Sequence, residues 1–280
     1  MERSTSPIHS DPHFVIRDRK ILADFLKAFA LDPQHEPGSV FFERLCAACA
    51  GMPYENLTKI IKSDTVISPG SAKRLPDEVL RDYVQYGTGG TCFSLTAACI
   101  AIFNAFNIEA HPILADRHYG SDTHCALIFS QESELFLLDP GYLIHRPVKL
   151  PTMEPISFST GVSAIELQPY DGGRKVELFT ASHQQKRSRL TYKVTPLDGT
   201  AFSRAWERSF AWEMMTYPIL TGARNGTQYY VQGKQLRIRE KTGTKRHTLS
   251  SHEHYDMMNK LLGIDTNIIK QAFSIVSFNR

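Results

Sequence analysis

A cysteine at position 92 stands between a glycine-rich run and an apolar segment. Gly87, Gly89 and Gly90 precede it, and the residues from Phe93 to Phe103 are largely apolar. Such an apolar run predicts a buried helix, which would place the sulfur at the amino-terminal end of that helix. The unsatisfied N–H groups and the helix dipole there lower the pKa of a thiol. Because glycines permit a tight turn, we expect the Cys92 sulfur to be accessible and nucleophilic.

A histidine and an aspartate follow at the ends of two apolar runs. His124 opens the run to Phe129, and Asp139 closes the run from Leu135. If the two runs pair as a hairpin, the two side chains come side by side. A histidine beside a cysteine, held by a carboxylate on its far nitrogen, generates the thiolate that attacks acyl groups. Taken singly, each residue has a structural explanation, but the order Cys92, His124, Asp139 favours catalysis.

Helices in the first part of the chain and strands in the second must position these side chains. Between residues 14 and 87, apolar residues recur at three- and four-residue spacing, which predicts helices. Pro76 fits the first turn of one of them and Gly87 its end. Further along, the pattern predicts strands over 110–115, 125–129, 135–138, 176–179 and 190–194, a hairpin of 229–231 with 236–238, and helices over 201–215 and 254–262.

Composition and charge exclude several classes of protein. Of the 280 residues, 42% are hydrophobic and 22% are charged, a balance that excludes a disordered chain. The formal charge of +3 is too small to indicate a nucleic-acid partner. Since no window is apolar enough for a membrane span and the amino terminus shows no export signal, we expect a cytoplasmic protein without membrane contact.

We expect the five cysteines to be reduced thiols. They are an odd number in a chain without an export signal, which argues against a disulfide framework. Cys46 and Cys49 form a CxxC pair, but no second pair is present to complete a metal site, so no metal is expected. Both also fit the apolar face of a helix that begins at Ser39, and we therefore predict buried core thiols.

Four segments around these residues resemble the motifs of arylamine N-acetyltransferases. The stretch Thr88-Gly89-Gly90-Thr91-Cys92-Phe93 resembles the family's Arg-Gly-Gly-X-Cys-Phe motif, and Met52-Pro53-Tyr54-Glu55-Asn56-Leu57 is similar to its Pro-Phe-Glu-Asn-Leu signature. Thr123-His124 and Leu138-Asp139-Pro140-Gly141-Tyr142 resemble its histidine and Asp-Val-Gly-Phe segments. The resemblance extends over residues 21–150, and together the four motifs are specific.

The resemblance implies an α+β fold in three parts. A helical amino-terminal domain, residues 1–107, would carry the cysteine. A central antiparallel β-barrel-like domain, residues 108–199, would carry the histidine and the aspartate. A carboxyl-terminal α/β subdomain, residues 200–280, would act as a lid. The core would then resemble that of papain or transglutaminase.

The resemblance also implies a reaction and a set of site residues. Cys92 would take an acetyl group from the cosubstrate acetyl-CoA as a thioester and pass it to the nitrogen of an arylamine or arylhydrazine, in ping-pong order. The chemistry of a helix terminus adds that the backbone N–H of Cys92 is the candidate oxyanion donor. The implied residues are a catalytic triad of Cys92, His124 and Asp139, substrate contacts from Tyr54, Phe93 and Tyr142, and structural support from Glu55, Asn56, Gly89 and Gly90.

The sequence departs from the family pattern close to the site. Thr88 replaces the arginine before Gly-Gly, so Glu55 lacks its usual ion-pair partner, and we expect Arg81 to take that place. The other departures are Tyr54 for phenylalanine, Pro140 for valine and Ile144 for glycine.

Other functions stay open beside acetyl transfer. An amide synthase, or a thiol hydrolase of the transglutaminase type, would use the same triad on another acyl group. A non-catalytic homologue would keep the fold alone. The basic run Lys186–Arg189 is interpreted as a solvated loop in preference to a site for CoA phosphates.

Overall fold

Helices make up most of the amino-terminal part, as the apolar spacing predicts. The computed structural model describes residues 10–161, 163–182, 185–240 and 243–276. Gly87 ends the fourth helix in the left-handed conformation, with φ of 68°. The elements are α1 (Arg19–Ala28), α2 (Gly38–Gly51), the short strand β1 (Tyr54–Glu55), α3 (Leu57–Thr65), α4 (Pro76–Tyr86) and α5 (Cys92–Ala105).

An antiparallel sheet of eight strands follows in the described chain. Its order is β5-β4-β3-β2-β9-β8-β7-β6, with edge strands β5 and β6 not paired to each other in the described residues. The sheet is therefore a curled half-barrel and not a closed barrel. The strands are β2 (Ala110–Arg117), β3 (Gly120–Gln131), β4 (Glu134–Asp139), β5 (Ile144–Lys149), β6 (Ile156–Ser159), β7 (Ala164–Tyr170), β8 (Lys175–Ser182) and β9 (Gln185–Lys193).

A second antiparallel sheet and three helices complete the described chain. They are α6 (Gly199–Arg208), β10 (Ile219–Arg224), β11 (Thr227–Gln232), β12 (Gln235–Glu240), β13 (Gly243–Thr248), α7 (Ser251–Leu262) and α8 (Thr266–Ile275). The predicted hairpin is β11 with β12. The helix predicted over 201–215 is too long, because α6 ends at Arg208 and 3-10 turns follow. The prediction lacks α8, although Asp265 caps it with its side chain.

Strand β1 joins the amino-terminal helices to the second sheet. It pairs antiparallel with β10, opposite Thr221 and Leu220, so the sheet order is β1-β10-β11-β12-β13. Gly90, two residues before Cys92, bridges to Tyr54 and accepts from the Glu55 N–H at 2.9 Å. The start of the Cys92 helix is thereby connected through β1 to the carboxyl-terminal part of the chain.

Two apolar cores lie on the two faces of the half-barrel. Alternate residues of a strand point to opposite faces. Leu127 and Phe129 of β3 therefore pack with the helices, and Ala126 and Ile128 pack inside the half-barrel. Helix α5 lies in the first core with every residue from Cys92 to Phe103 buried, as its all-round apolar sequence predicts.

All five cysteines lie in the described part of the chain, and each is buried and free. Cys46 and Cys49 belong to α2, which begins at Gly38, one residue before the predicted start, and both face the first core. Across the described residues, we find no group of three or more His, Cys, Asp and Glu side chains placed to hold a metal ion. Nor does any helix there combine the length and apolarity that crossing a bilayer requires.

Candidate active site

The turn before Cys92 packs against the backbone around β1. A methyl group added at Gly89 would lie 2.0 Å from the carbonyl oxygen of Pro53, and one added at Gly90 would lie 2.2 Å from Ser94 Oγ. The Gly90 N–H donates to the Pro53 carbonyl at 3.2 Å. Glycine is required here because the two backbone segments touch. The contact fixes the start of α5, and hence Cys92 as its first residue.

His124 and Asp139 meet across neighbouring strands. Leu127 of β3 pairs with Leu138 of β4, a register that sets Asp139 diagonally opposite His124. The imidazole Nε2–H donates to Asp139 Oδ2 at 2.6 Å, and both residues are fully buried. The sequence predicts this contact, but His124 lies within β3 and not at its start, since the strand begins at Gly120.

Cys92, His124 and Asp139 surround Gly141. A methyl group built on Gly141 would lie 3.0 Å from His124 Cε1, 3.2 Å from Cys92 Cβ and 3.4 Å from Asp139 Oδ1. The three predicted residues therefore come together, with a glycine that leaves room between them. Cys92 is only 2% exposed. The expectation of an accessible sulfur is wrong, because α5 places Cys92 within the first apolar core.

The surroundings of Cys92 favour the thiolate. A hydrogen bond from the Cys125 thiol lowers the pKa of Cys92, and the hydrogen bond and charge of His124 and the charge of Arg117 act in the same direction. Burial alone would raise that pKa, but it is outweighed, and the pKa of Cys92 lies well below its ordinary value. The Cys125 sulfur also lies 3.6 Å from Thr96 Oγ1.

Asp139 accepts hydrogen bonds from three donors. Besides His124, the Tyr192 hydroxyl donates to Oδ2 at 2.6 Å, and the Tyr142 N–H donates to Oδ1 at 3.0 Å. Burial opposes the charged form of His124, but the Asp139 carboxylate outweighs it, and the pKa of His124 is raised. The sequence analysis missed Tyr192. It sits opposite Ala115 of β2, which itself sits opposite His124, so only the sheet order shows the alignment.

Comparison with known proteins bears on the fold. No family model and no curated protein matches the sequence. Among solved structures, the arylamine N-acetyltransferase of Mycobacterium abscessus matches with a TM-score of 0.76 at 16% identity, over 91% of this chain and 95% of that one. The Nocardia farcinica enzyme matches with a TM-score of 0.76 at 15% identity, over 96% and 98%. The chain has the arylamine N-acetyltransferase fold.

A third structure with this fold is the Mycobacterium marinum arylamine N-acetyltransferase in complex with CoA. It matches with a TM-score of 0.75 at 13% identity, over 91% of this chain and 98% of that one. The likeness covers nearly the full length of each chain. It therefore includes the helices, the half-barrel and the second sheet, well beyond the 21–150 segment where the motifs lie.

Within the arylamine N-acetyltransferase fold, Arg74 and not Arg81 is the cation beside Glu55. Arg74 Nη1 lies 3.6 Å from Glu55 Oε1 and donates to Gly89 O at 2.7 Å. Arg81 is half-exposed and lies near Asp18, at 3.9 Å. The prediction of Arg81 is wrong because that residue points outward from α4, whereas Arg74 precedes the helix and turns inward.

The Glu55 carboxylate is completely buried and has hydrogen bonds of its own. The Thr58 hydroxyl donates to Oε1 at 2.6 Å and the Thr58 N–H donates to Oε2 at 2.9 Å. Burial raises the pKa of Glu55, and Arg74 opposes that rise. Arg74 also donates to Asp82 Oδ2 at 2.7 Å. The network ties α3, α4 and the Gly89 turn together behind Cys92.

Asn56 bonds the amino-terminal part to the segment before β10. Its amide donates to the carbonyls of Met214, at 2.5 Å, and Tyr217, at 2.9 Å, and its oxygen accepts from the Ile219 N–H at 2.7 Å. All three side-chain bonds are to the backbone of one segment. Asn56 therefore holds one wall of the cavity described next.

A cavity of about 1330 Å³ opens beside the three residues. Tyr54, Arg117, Gly141 and Tyr142 line it, next to the buried Cys92 and His124. Phe93 differs from the expectation for a substrate contact. Its ring is fully buried and packs on Phe202, Trp206 and Trp212, because it points from α5 into the core.

Two features of this cavity escaped the sequence analysis or contradict it. Arg117, the last residue of β2, donates from Nη2 to His124 Nδ1 at 3.1 Å, and nothing in its sequence neighbourhood signals that contact. The basic run Lys186–Arg189 belongs to strand β9, so the prediction of a loop is wrong, although Lys186, Arg187 and Ser188 are exposed to solvent as expected. Arg187 and Arg189 of that run line the cavity.

Proposed function

We propose that the protein is a CoA-dependent acyltransferase of the arylamine N-acetyltransferase type. It would move an acetyl group from acetyl-CoA, through a thioester on Cys92, to the nitrogen of an arylamine or arylhydrazine. The observation that carries the proposal is the meeting of Cys92, His124 and Asp139 around Gly141 at the edge of a large cavity. The shared fold supports it, since the M. marinum enzyme with that fold has been solved in complex with CoA.

In the first half-reaction, the Cys92 thiolate attacks the thioester carbonyl of acetyl-CoA. The new carbon–sulfur bond forms to Cys92 and the old one to CoA breaks, while the His124 imidazolium gives its proton to the departing CoA sulfur. The backbone N–H of Cys92, at the start of α5, is suited to bind the oxyanion of the tetrahedral intermediate. Asp139 holds the imidazole by its far nitrogen throughout.

In the second half-reaction, the amine attacks the acetyl-cysteine. His124 takes a proton from the amine nitrogen as the carbon–nitrogen bond forms, and the Cys92 thiolate leaves. Aromatic side chains on the cavity wall suit an aryl acceptor, because ring faces pack against ring edges and faces. The rings are those of Tyr54, Tyr142, Trp212, Tyr217 and Tyr230.

Four arginines on the cavity wall suit the phosphates of CoA. They are Arg187, Arg189, Arg237 and Arg239. None of them forms an ion pair with a carboxylate in the ranges that the structure describes. Burial and the charges of the other three lower the pKa of Arg239, which is the mark of like charges held close together. Phosphate groups would neutralise this cluster through charge-assisted hydrogen bonds.

The test is incubation with acetyl-CoA alone, followed by intact-protein mass spectrometry. The proposal predicts an adduct of about 42 Da, the mass that acetylation of a thiol adds. The adduct should map to Cys92 and be missing in Cys92→Ser. Release of CoA without an adduct would point to a thiol hydrolase. The absence of both an adduct and CoA release would contradict the proposal.

A further inference from the structure

Arg117 is a cation next to the reacting groups, and the Cys92 thiolate whose pKa it helps to lower loses its charge when the sulfur is acylated. Its guanidinium donates to the Tyr119 hydroxyl at 2.6 Å and to His124 Nδ1 at 3.1 Å. No carboxylate of the described residues forms an ion pair with it, and its side chain is half-buried in the cavity wall. A cation drawn partly out of water is costly unless an anion or hydrogen bonds compensate it.

The phosphates of CoA are matched by four other arginines and so do not supply an anion for Arg117. A CoA molecule carries about four negative charges, on one phosphomonoester and one diphosphate. Arg187, Arg189, Arg237 and Arg239 match that number. Arg117 is then a fifth cation, and among the five it is the one that touches His124. Its anion should therefore belong to the part of the substrate that lies at the reacting sulfur.

The acyl group is the part of the donor that must lie there. Cys92 Cβ and His124 Cε1 both lie within 3.2 Å of the position of a methyl group on Gly141, so the sulfur and the imidazole share one small space. An acyl group on that sulfur extends from the same space, into which the Arg117 guanidinium also reaches. Arginine binds a carboxylate with two parallel hydrogen bonds, a geometry that selects planar anions.

We infer that Arg117 binds a carboxylate on the acyl group, so that the preferred donor is the CoA thioester of a dicarboxylic acid. This inference rests on the proposed function and specifies its donor. Acetyl-CoA would still react, but its methyl group leaves Arg117 unpaired.

The chemistry is that of the acetyl reaction with the carboxylate as a spectator. The Cys92 thiolate displaces CoA from the thioester carbonyl, and the CoA sulfur receives the proton from His124. The amine then displaces Cys92 and gives its proton to His124. The distal carboxylate keeps its charge throughout and ends in the amide product, so no oxidant or further reactant is needed.

The test compares succinyl-CoA with acetyl-CoA in single-turnover acylation without an acceptor. Rates are read by intact-mass spectrometry from adducts of about 100 Da and about 42 Da on Cys92. The protein should react at least tenfold faster with succinyl-CoA. Arg117→Met should abolish that preference, and Arg117→Lys, which keeps the charge, should retain part of it. Because the readout is a ratio of two rates, partial misfolding of a variant does not alter it.

A matched control is Arg174→Met, since Arg174 is exposed, pairs with Asp171 and lies outside the cavity. It should keep the full preference for succinyl-CoA.

Equal rates with both donors in the unaltered protein would overturn the inference and leave the proposed function standing. So would an Arg117→Met variant that slows both donors equally, which is the behaviour of a residue that only positions His124. An effect confined to transfer onto aminobenzoate, compared with aniline, would assign Arg117 to the acceptor instead. No adduct from either donor would overturn the proposed function itself.

Discussion

At the scale of single residues, the Asp139 carboxylate determines which nitrogen of His124 carries a proton. Its Oδ2 accepts from Nε2, so in the neutral imidazole Nδ1 keeps its lone pair, which accepts from Arg117 and can take the proton of a thiol or an amine in place of that hydrogen bond. Arg117 and the Tyr192 hydroxyl complete the set of polar groups around the pair. The sequence shows the pair itself, through two strand-end motifs, but these two supporting residues come from other strands and were beyond its reach.

Asp139→Asn should lower kcat for acyl transfer by about 10⁴-fold, the size of the effect in the serine-protease analogue. The carboxamide can present its N–H to Nε2 and so favour the wrong tautomer. Tyr192→Phe is the matched control, because it removes one hydrogen bond to the same carboxylate and keeps the ring. The loss of kcat in Tyr192→Phe should be far smaller. A loss of kcat below tenfold in Asp139→Asn would show that Asp139 acts only as a turn residue.

The lowered pKa of Cys92 predicts an unusual pH dependence of alkylation. A thiol of ordinary pKa, about 8.5, is mostly protonated and unreactive at pH 6 to 7. Since the Cys125 hydrogen bond and the His124 charge lower the pKa of Cys92, its thiolate persists to lower pH than that of an ordinary thiol. The rate at which iodoacetamide modifies Cys92 should therefore stop rising at a lower pH than the rate for an ordinary thiol. A rate that rises tenfold per pH unit up to pH 8.5 would contradict the assignment.

At the scale of elements, the position of Cys92 depends on the contact between the Gly89 turn and the residues before β1. The apolar spacing predicts α1, α4 and α5 correctly, and short apolar runs at hairpin spacing predict β2, β3 and β4. The contact between the turn and β1 could not be predicted, because it joins two short segments whose own sequences carry no pairing signal. The contact of Arg74 with Glu55 was not predicted for a related reason, because it depends on how the chain enters α4.

Gly89→Ala should destabilise the protein by about 1–3 kcal/mol, the usual cost of overpacking. The added methyl group meets the Pro53 carbonyl at 2.0 Å, and backbone on both sides cannot move aside without shifting α5. Urea unfolding measures the change. Gly38→Ala is the matched control, because no atom lies within 4 Å of its added methyl group and it should be close to neutral. Equal stability of the two variants would show that the close approach is not a constraint.

At the scale of the whole molecule, Asn56 and β1 connect the Cys92 region to the second sheet. The sequence predicts the order of helices, strands and a final helical part, and the resemblance to arylamine N-acetyltransferases implies the α+β fold. The predicted division at residues 107, 108, 199 and 200 stays a prediction. The pairing of β1 with β10 was not foreseen, because Tyr54–Glu55 is only two residues long.

Asn56→Ala should cost about 2–4 kcal/mol, since it removes a side chain that satisfies three backbone groups, some of them buried. The cavity wall from Met214 to Ile219 should loosen as well, and KM for the acceptor should rise. Thermal unfolding and steady-state kinetics measure both effects. Asn267→Ala is the control, because that residue is exposed near the start of α8. Comparable stability and KM of the two variants would show that Asn56 does not connect the two parts of the chain.

The central claim is that an acyl group travels through Cys92. The most direct test starts from protein acylated with a CoA thioester, freed of CoA, and mixed with an arylamine in a rapid-quench instrument. The account predicts that the adduct on Cys92 disappears as one equivalent of amide appears, with the same rate constant for both events. An adduct that survives the amine, or amide that forms at an undiminished rate in Cys92→Ser, would contradict it.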